Sequence, residues 1–254
     1  MISKRLIVAL QLQGAKLIKT HKFKKENPIY LGDALNAVKI FNEKEVDELV
    51  LFDLEASKNG NINFELISKI SSISRMPLTY GGGIDCLEKA TRLLSLGIEK
   101  LCFNNLFFRD MDKFKYISNY IGKQSMVLSV DYRKKINNYD IYYEGGTKES
   151  RYTINDIISK NIQEFVGELF LNNIEGDGEM NGYDDDLLKN IYQECKIPIT
   201  VSGGFNNFDN VKMIFKKYNI IGVSCSSLFI FKGRKKAVLL NYPDKLEKEY
   251  LKEY

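Results

Sequence analysis

Histidine and closely spaced cysteine are what this sequence has least of. There is one histidine, His21, and there are four cysteines, Cys86, Cys102, Cys195 and Cys225. No two of the cysteines form a C-x-x-C pair. Zinc sites draw on clusters of these residues, so no structural metal is expected, and the cysteine usage points to a reduced, cytoplasmic protein. Long apolar runs are also missing. The run 6–10 is among the longest, far below the roughly 20 residues that span a bilayer. Met1-Ile2-Ser3-Lys4-Arg5 leads straight into it with no small-residue cleavage site after it, so no secretory leader is read. A large excess of one charge is absent too. The 37 Lys and Arg against 33 Asp and Glu leave a net charge of +4, which without clustering implies no nucleic-acid partner. What remains is 254 residues, 44% hydrophobic and 28% charged, the composition of a folded rather than a disordered chain. The length suits one large domain or two small ones, and α/β barrels of this size are single domains.

Short apolar, β-branched runs recur at 6–12, 48–54, 77–80, 100–103, 125–131, 168–172, 197–201 and 220–225. Helically spaced stretches lie between most of them, such as Ala34, Ala37, Val38, Ile40 and Phe41, or Leu187, Leu188, Ile191 and Tyr192. Strands alternating with helices predict a parallel sheet, because parallel neighbours need crossovers. Continuous apolar runs suit strands buried on both faces. The chain also repeats itself. Pro77-Leu78-Thr79-Tyr80-Gly81-Gly82 resembles Pro198-Ile199-Thr200-Val201-Ser202-Gly203, 121 residues on, and Leu49-Val50-Leu51-Phe52-Asp53 resembles Leu169-Phe170-Leu171-Asn172-Asn173, 120 residues on. Two copies of a four-strand unit predict a (β/α)8 barrel, with half-barrels at about 1–122 and 123–240 and a terminal helix at 244–254 capped by Asp244. A doubly wound open sheet is the fallback.

In such a barrel the chemistry lies at the C-terminal ends of the strands. Gly81-Gly82-Gly83 follows the third run and Ser202-Gly203-Gly204 the seventh, while Asn104-Asn105 ends the fourth and Ser226-Ser227 the eighth. Glycine lets backbone N–H groups converge on an anion. The duplicated pairing therefore favours two phosphate sites on opposite sides of one mouth, fitted to a substrate phosphorylated at both ends; glycines after strands are otherwise simply turns. Gln11 and Asp131 end the first and fifth strands at the same 120-residue offset. Asp131 can exchange a proton and Gln11 cannot, although a strand-end aspartate serving the backbone fits the local sequence equally well. Arg5, Glu48, Lys100 and Glu168 open four runs. Two cations and two anions could close into a neutral ring at one end of the barrel, or stand as ordinary exposed charge. Lys19 lies near Lys16, Lys22, Lys24 and Lys25 in a basic segment that folds over a phosphorylated ligand or sits in solvent. The segment 173–178, ending in Asp177-Gly178, lacks the spacing and closing glutamate of a calcium loop. His21 reads as a loop residue and the cysteines as packing.

With these residues in view, the sequence resembles HisF, the cyclase subunit of imidazole glycerol phosphate synthase. The match is carried by Lys4-Arg5-Leu6-Ile7, Asp47-Glu48-Leu49-Val50, Asp53 with Ala56-Ser57, Gly81-Gly82-Gly83-Ile84, Asp177-Gly178 with Gly182-Tyr183-Asp184, and Ser202-Gly203-Gly204. The resemblance implies a TIM barrel of two fused halves that receives ammonia from a HisH-like glutaminase at its bottom face, around Arg5, Glu48 and Glu99. The ammonia passes to a bisphosphorylated ribulosyl substrate at the top, and no cofactor is implied. By position, Arg5, Glu48, Lys100 and Glu168 match the ammonia gate, Lys19 the substrate lysine and Asp131 a catalytic aspartate. Gly83, Asn104, Gly178, Gly204, Ser226 and Ser227 fall in the phosphate turns, with Asp53, Asn105 and Asp177 among the substrate contacts. Gln11 stands where the second catalytic aspartate is expected. Asn172 and Asn173 replace small hydroxyl residues, and Glu175 replaces an aspartate. The segments 30–42 and 229–243 resemble the WbuZ-type paralogues associated with glycosyl amidation. That branch implies a HisH-like glutaminase and a separate sugar amidotransferase, which together turn an acetamido group into an acetamidino group for surface glycans. The alternatives are a genuine cyclase making imidazole glycerol phosphate and AICAR for histidine biosynthesis, and a non-catalytic scaffold that activates a glutaminase.

Overall fold

The computed structural model describes residues 4–136, 138–218, 220, 222–233 and 235–253. Of the sequence predictions, Met1 to Ser3, Ile221 and Tyr254 lie outside the described residues, as does the side chain of Lys25. Eight parallel strands form the centre: β1 Arg5–Gln13, β2 Glu48–Asp53, β3 Leu78–Gly81, β4 Lys100–Phe103, β5 Met126–Lys134, β6 Glu168–Asn173, β7 Ile199–Ser202 and β8 Gly222–Cys225. Each pairs with the next, β8 pairs with β1, and the sheet closes into a barrel. Each of the eight runs read from the sequence overlaps one of these strands.

Alternation along each strand sorts the side chains. Leu6, Val8, Leu10 and Leu12 join the large core beneath the surrounding helices. Ile7, Val50, Cys102, Val127 and Phe170 form a second, smaller cluster inside the barrel, with Phe52 packed against it. The helices follow the expected spacing. Ala34–Glu43 starts where Asp33 accepts from the Asn36 N–H, and it buries Ala34, Ala37, Val38 and Phe41. Asp185–Ile191 is capped by Asp184 and buries Leu187, Leu188 and Ile191. Lys245–Lys252 opens with a reciprocal Asp244 and Glu247 capping box. This last helix is not purely solvated, because Leu251 is buried.

Two antiparallel additions extend the barrel sheet, and a separate two-stranded sheet follows it. Lys16–His21 and Lys24–Asp33 form a hairpin on the end of β1, so Lys19 sits in a strand rather than a loop. Tyr139–Tyr143 pairs with the extension of β5 beyond Asp131. Phe231–Lys232 and Ala237–Val238 pair after β8.

Gly222 faces the crowded lower interior. A Cβ there would lie 1.9 Å from Thr200 Oγ1 and 3.1 Å from Ile7 Cδ1. Gly222→Ala is therefore expected to destabilise the fold by about 1–3 kcal/mol, the usual scale of overpacking. Thermal unfolding followed by circular dichroism should show a Tm lowered by roughly 2–10 °C.

Candidate functional site

At the bottom of the barrel Arg5, Glu48, Lys100 and Glu168 meet. Arg5 bonds to Glu48 and, at 2.8 Å, to Glu168. Lys100 Nζ lies 2.9 Å from Glu48 and 3.1 Å from Glu168. The signs alternate around a closed ring of zero net charge. Burial opposes the Glu168 carboxylate, but Lys100 and Arg5 outweigh it and hold its pKa below the ordinary range. Burial likewise opposes the Arg5 charge, and Glu168 with Glu48 outweighs it upward. Two hydroxyls complete the ring: Thr79 donates to Glu48 at 2.8 Å, and Thr200 donates to Glu168. The sequence reading missed both threonines, although each occupies the third position of the repeated Pro-Leu-Thr and Pro-Ile-Thr segments. The repeat was the available signal.

Above the ring comes the apolar section of Ile7, Val50, Cys102, Val127 and Phe170, where Phe52 and Phe170 meet edge to face at 5.5 Å. Beyond it, at the C-terminal ends of the strands, a cavity of about 390 Å³ opens. Gln11, Asp53, Gly83, Asn104, Asn105 and Asp131 all line it. Asp131 is 7% exposed. It accepts from Ser129 at 3.1 Å, Asn104 at 3.3 Å and Asn172 at 3.4 Å. Burial pushes its pKa up to about 7; the Ser129 and Asn172 hydrogen bonds pull the other way, and nearby Asp177 adds to the rise. The Gln11 side-chain oxygen accepts from the Thr20 N–H at 2.8 Å and from the Thr20 hydroxyl at 3.1 Å. Gln11 thus has only N–H donors left to offer. Asp131 is a group poised to exchange a proton near neutrality, with amides for neighbours.

Asp53 lines the cavity with its two oxygens already engaged, one by the Ala56 N–H and the other by the Tyr80 hydroxyl. Asn105 joins a turn to a helix, accepting from the Glu144 N–H at 2.8 Å and donating to Ser57 O at 3.4 Å. The glycine turn needs glycine. Gly82 and Gly83 have φ of +130° and +71°, and a Cβ on Gly82 would lie 2.3 Å from Asp53 O.

The second glycine turn is built alike but fills its space differently. Asp177, Gly178, Gly204, Ser226 and Ser227 line a separate hollow of only about 30 Å³. Gly204 has φ +97°, and a Cβ would sit 1.9 Å from Gly182 O. The Ser224 and Ser226 hydroxyls are buried there with no hydrogen-bond partner among the described residues. Neither Asn104 nor Ser226 uses its side chain to cap the helix it precedes. Lys19, 4% exposed, forms an ion pair with Asp177. The hairpin tip leans on the same residue, Lys22 N–H donating to Asp177 O and Phe23 N–H to its carboxylate. His21, at the end of the hairpin strand, faces Glu179 at 3.2 Å. Among the described residues, no helix is long and apolar enough to cross a membrane.

Comparison with known proteins adds to this geometry. The family profile described as "Histidine biosynthesis protein" matches residues 5–234. A Leptospira borgpetersenii protein named "Putative imidazole glycerol phosphate synthase subunit HisF" is 42% identical over 254 residues, 99% of each chain. A Pseudomonas aeruginosa protein named "Putative imidazole glycerol phosphate synthase subunit hisF2" is 39% identical, over 96% of this chain and 97% of its own. The "Imidazole glycerol phosphate synthase subunit HisF" of Natranaerobius thermophilus is 29% identical, over 95% and 96%.

The raised pKa of Asp131 has a sign that can be tested. A carboxyl whose pKa rises on folding adds stability while protonated; the gain is complete below its unfolded value of about 4 and lost as the pH climbs through about 7. Asp131→Asn should remove this dependence. Its Tm relative to the unsubstituted protein is expected to be higher at pH 8 than at pH 5. A carboxyl ¹³C titration of the unsubstituted protein should show a midpoint near 7.

Proposed function

The chain belongs to the histidine biosynthesis protein family, and on that footing we propose that it is the HisF-like barrel subunit of a glutamine-dependent complex, diverged from ring closure toward nitrogen delivery for sugar amidation. A HisH-like glutaminase docks on the bottom face, around Arg5, Glu48 and Glu99. Ammonia enters through the ring of Arg5, Glu48, Lys100 and Glu168 and leaves at the top. The acceptor is an acetamido group on an activated sugar, converted to an acetamidino group by a separate amidotransferase in surface glycan synthesis.

The observation that carries this reading is the conjunction of a complete ionic ring with Gln11 on β1, two residues before the strand ends at Gln13. The apolar section above the ring suits a neutral passenger. An ammonium ion there would lose its hydration with no counter-charge, a cost of many kcal/mol, whereas uncharged ammonia loses far less. Cyclisation asks for two proton-exchanging groups at the mouth, and an amide cannot serve as one.

A second reading, a genuine cyclase yielding imidazole glycerol phosphate and AICAR, is favoured by one observation. Asp131 is retained with its pKa pushed up to about 7, a useful value for general acid–base work. In both readings the glycine turns hold phosphate. The cavity beside Gly83 and Asn104 takes one end of the ligand, and the hollow beside Gly178, Gly204 and Ser226 takes the other once Lys19 and Asp177 separate.

The readings divide on one assay. Supplied with ammonium salt and the bisphosphorylated ribulosyl substrate, the purified chain is expected to turn over about 10²–10⁴-fold more slowly than its Gln11→Asp variant, the range of one general acid–base group. A wild-type rate equal to that of the variant, or rescue of a histidine auxotroph, overturns the amidation reading. With a glutaminase present, Arg5→Ala should uncouple glutamine hydrolysis from amination of the acceptor. Unchanged transfer would exclude passage through the barrel.

A further inference from the structure

Tyr242 carries a buried hydroxyl close to the ionic ring. The residue lies between the β8 hairpin and the terminal helix and is 5% exposed. Its hydroxyl donates to Leu6 O at 2.8 Å and accepts from the Asp47 N–H at 3.1 Å. The Asp47 carboxylate accepts from the Leu6 N–H at 2.8 Å and pairs with Lys252 at 2.6 Å. Burial keeps the phenol protonated, its pKa raised well above the ordinary tyrosine value. Leu6 follows Arg5 and Asp47 precedes Glu48. A phenol from the C-terminal segment therefore stands between the two strand ends that carry one cation–anion contact of the ring.

The chain supplies its own comparison. At the 120-residue offset, Met126 and Gly167 hold the places of Leu6 and Asp47. There the Gly167 N–H donates directly to Met126 O at 3.0 Å. Between β1 and β2 the same two kinds of group, the Asp47 N–H and the Leu6 carbonyl, are joined through one intervening oxygen. Two bonds of 3.1 and 2.8 Å in series hold strand ends farther apart than a single bond of 3.0 Å.

We propose that Tyr242 is a positioning residue for the ionic ring: its hydroxyl sets the separation of the β1 and β2 ends, hence the Arg5–Glu48 contact. What the ring admits rests on the ammonia-entry reading; how it is positioned does not.

Side-chain ¹⁵N NMR of the full chain reads the ring through the Arg5 Nε–H and Lys100 ammonium signals. In Tyr242→Phe both signals are expected to shift, and their proton exchange with water to quicken by about tenfold, the scale of one lost buried hydrogen bond. Leu251→Ala loosens the terminal helix without touching the hydroxyl; it should lower Tm and leave both signals in place. If the ring signals stay unmoved in Tyr242→Phe, or move equally in Leu251→Ala, the hydroxyl is a structural tie and the proposal falls. Should Tyr242→Phe fail to fold, Tyr242→4-aminophenylalanine keeps a donor to Leu6 O but a weaker acceptor for the Asp47 N–H, with an unmoved Arg5 signal as the refuting result. Failure of the ammonia-entry reading appears elsewhere, as glutamine-driven transfer indifferent to Arg5→Ala.

Discussion

Four charges closed on one another inside the barrel set the terms for the layer around them. Desolvating Arg5, Glu48, Lys100 and Glu168 is costly, and the mutual attraction of such groups repays that cost only when every one of them is matched. The match is complete here: each carboxylate meets both cations and a threonine hydroxyl. The surroundings follow from it. Thr200 must reach Glu168, so the neighbouring strand offers only Gly222, with no room for a Cβ. An apolar plug of similar volume would stabilise the barrel as well or better. That makes the ring expensive as architecture and sensible as a device.

At the other end of the barrel the electrostatics run the opposite way. Asp131 has hydrogen-bond donors around it but, among the described residues, no cation within bonding distance, so burial rather than pairing governs its proton. The two glycine turns share a design and differ in what fills them. One opens into a cavity that holds Gln11 and Asp131; the other is narrow, its aspartate engaged by Lys19.

The strands were legible because each is an apolar run bounded by charge or glycine, and the helices because their buried positions recur with helical spacing. The closed barrel followed from the internal repeat. The ring was less legible. Charges opening Arg5, Glu48, Lys100 and Glu168 look the same in sequence whether solvated or buried, and only the resemblance to HisF favoured the second. Contacts between residues remote along the chain left no local trace. Lys19 with Asp177 and Tyr242 with Leu6 and Asp47 are of this kind. Nothing in the sequence around Tyr242 marks its partners. Asp53 shows the reverse limit, since its place in a family motif did not reveal that it caps a helix and holds Tyr80.

The hairpin over the mouth is fastened to Asp177 three times, by the Lys19 ammonium and by the backbone of Lys22 and Phe23. A ligand that needs this corner competes with the protein's own chain for it. Apparent affinity is then intrinsic affinity scaled by the fraction of molecules in which the hairpin has let go. Weak occupancy by small anions and firm retention of a long ligand would be two faces of one fastening, because only a ligand that replaces all three attachments recovers what opening costs.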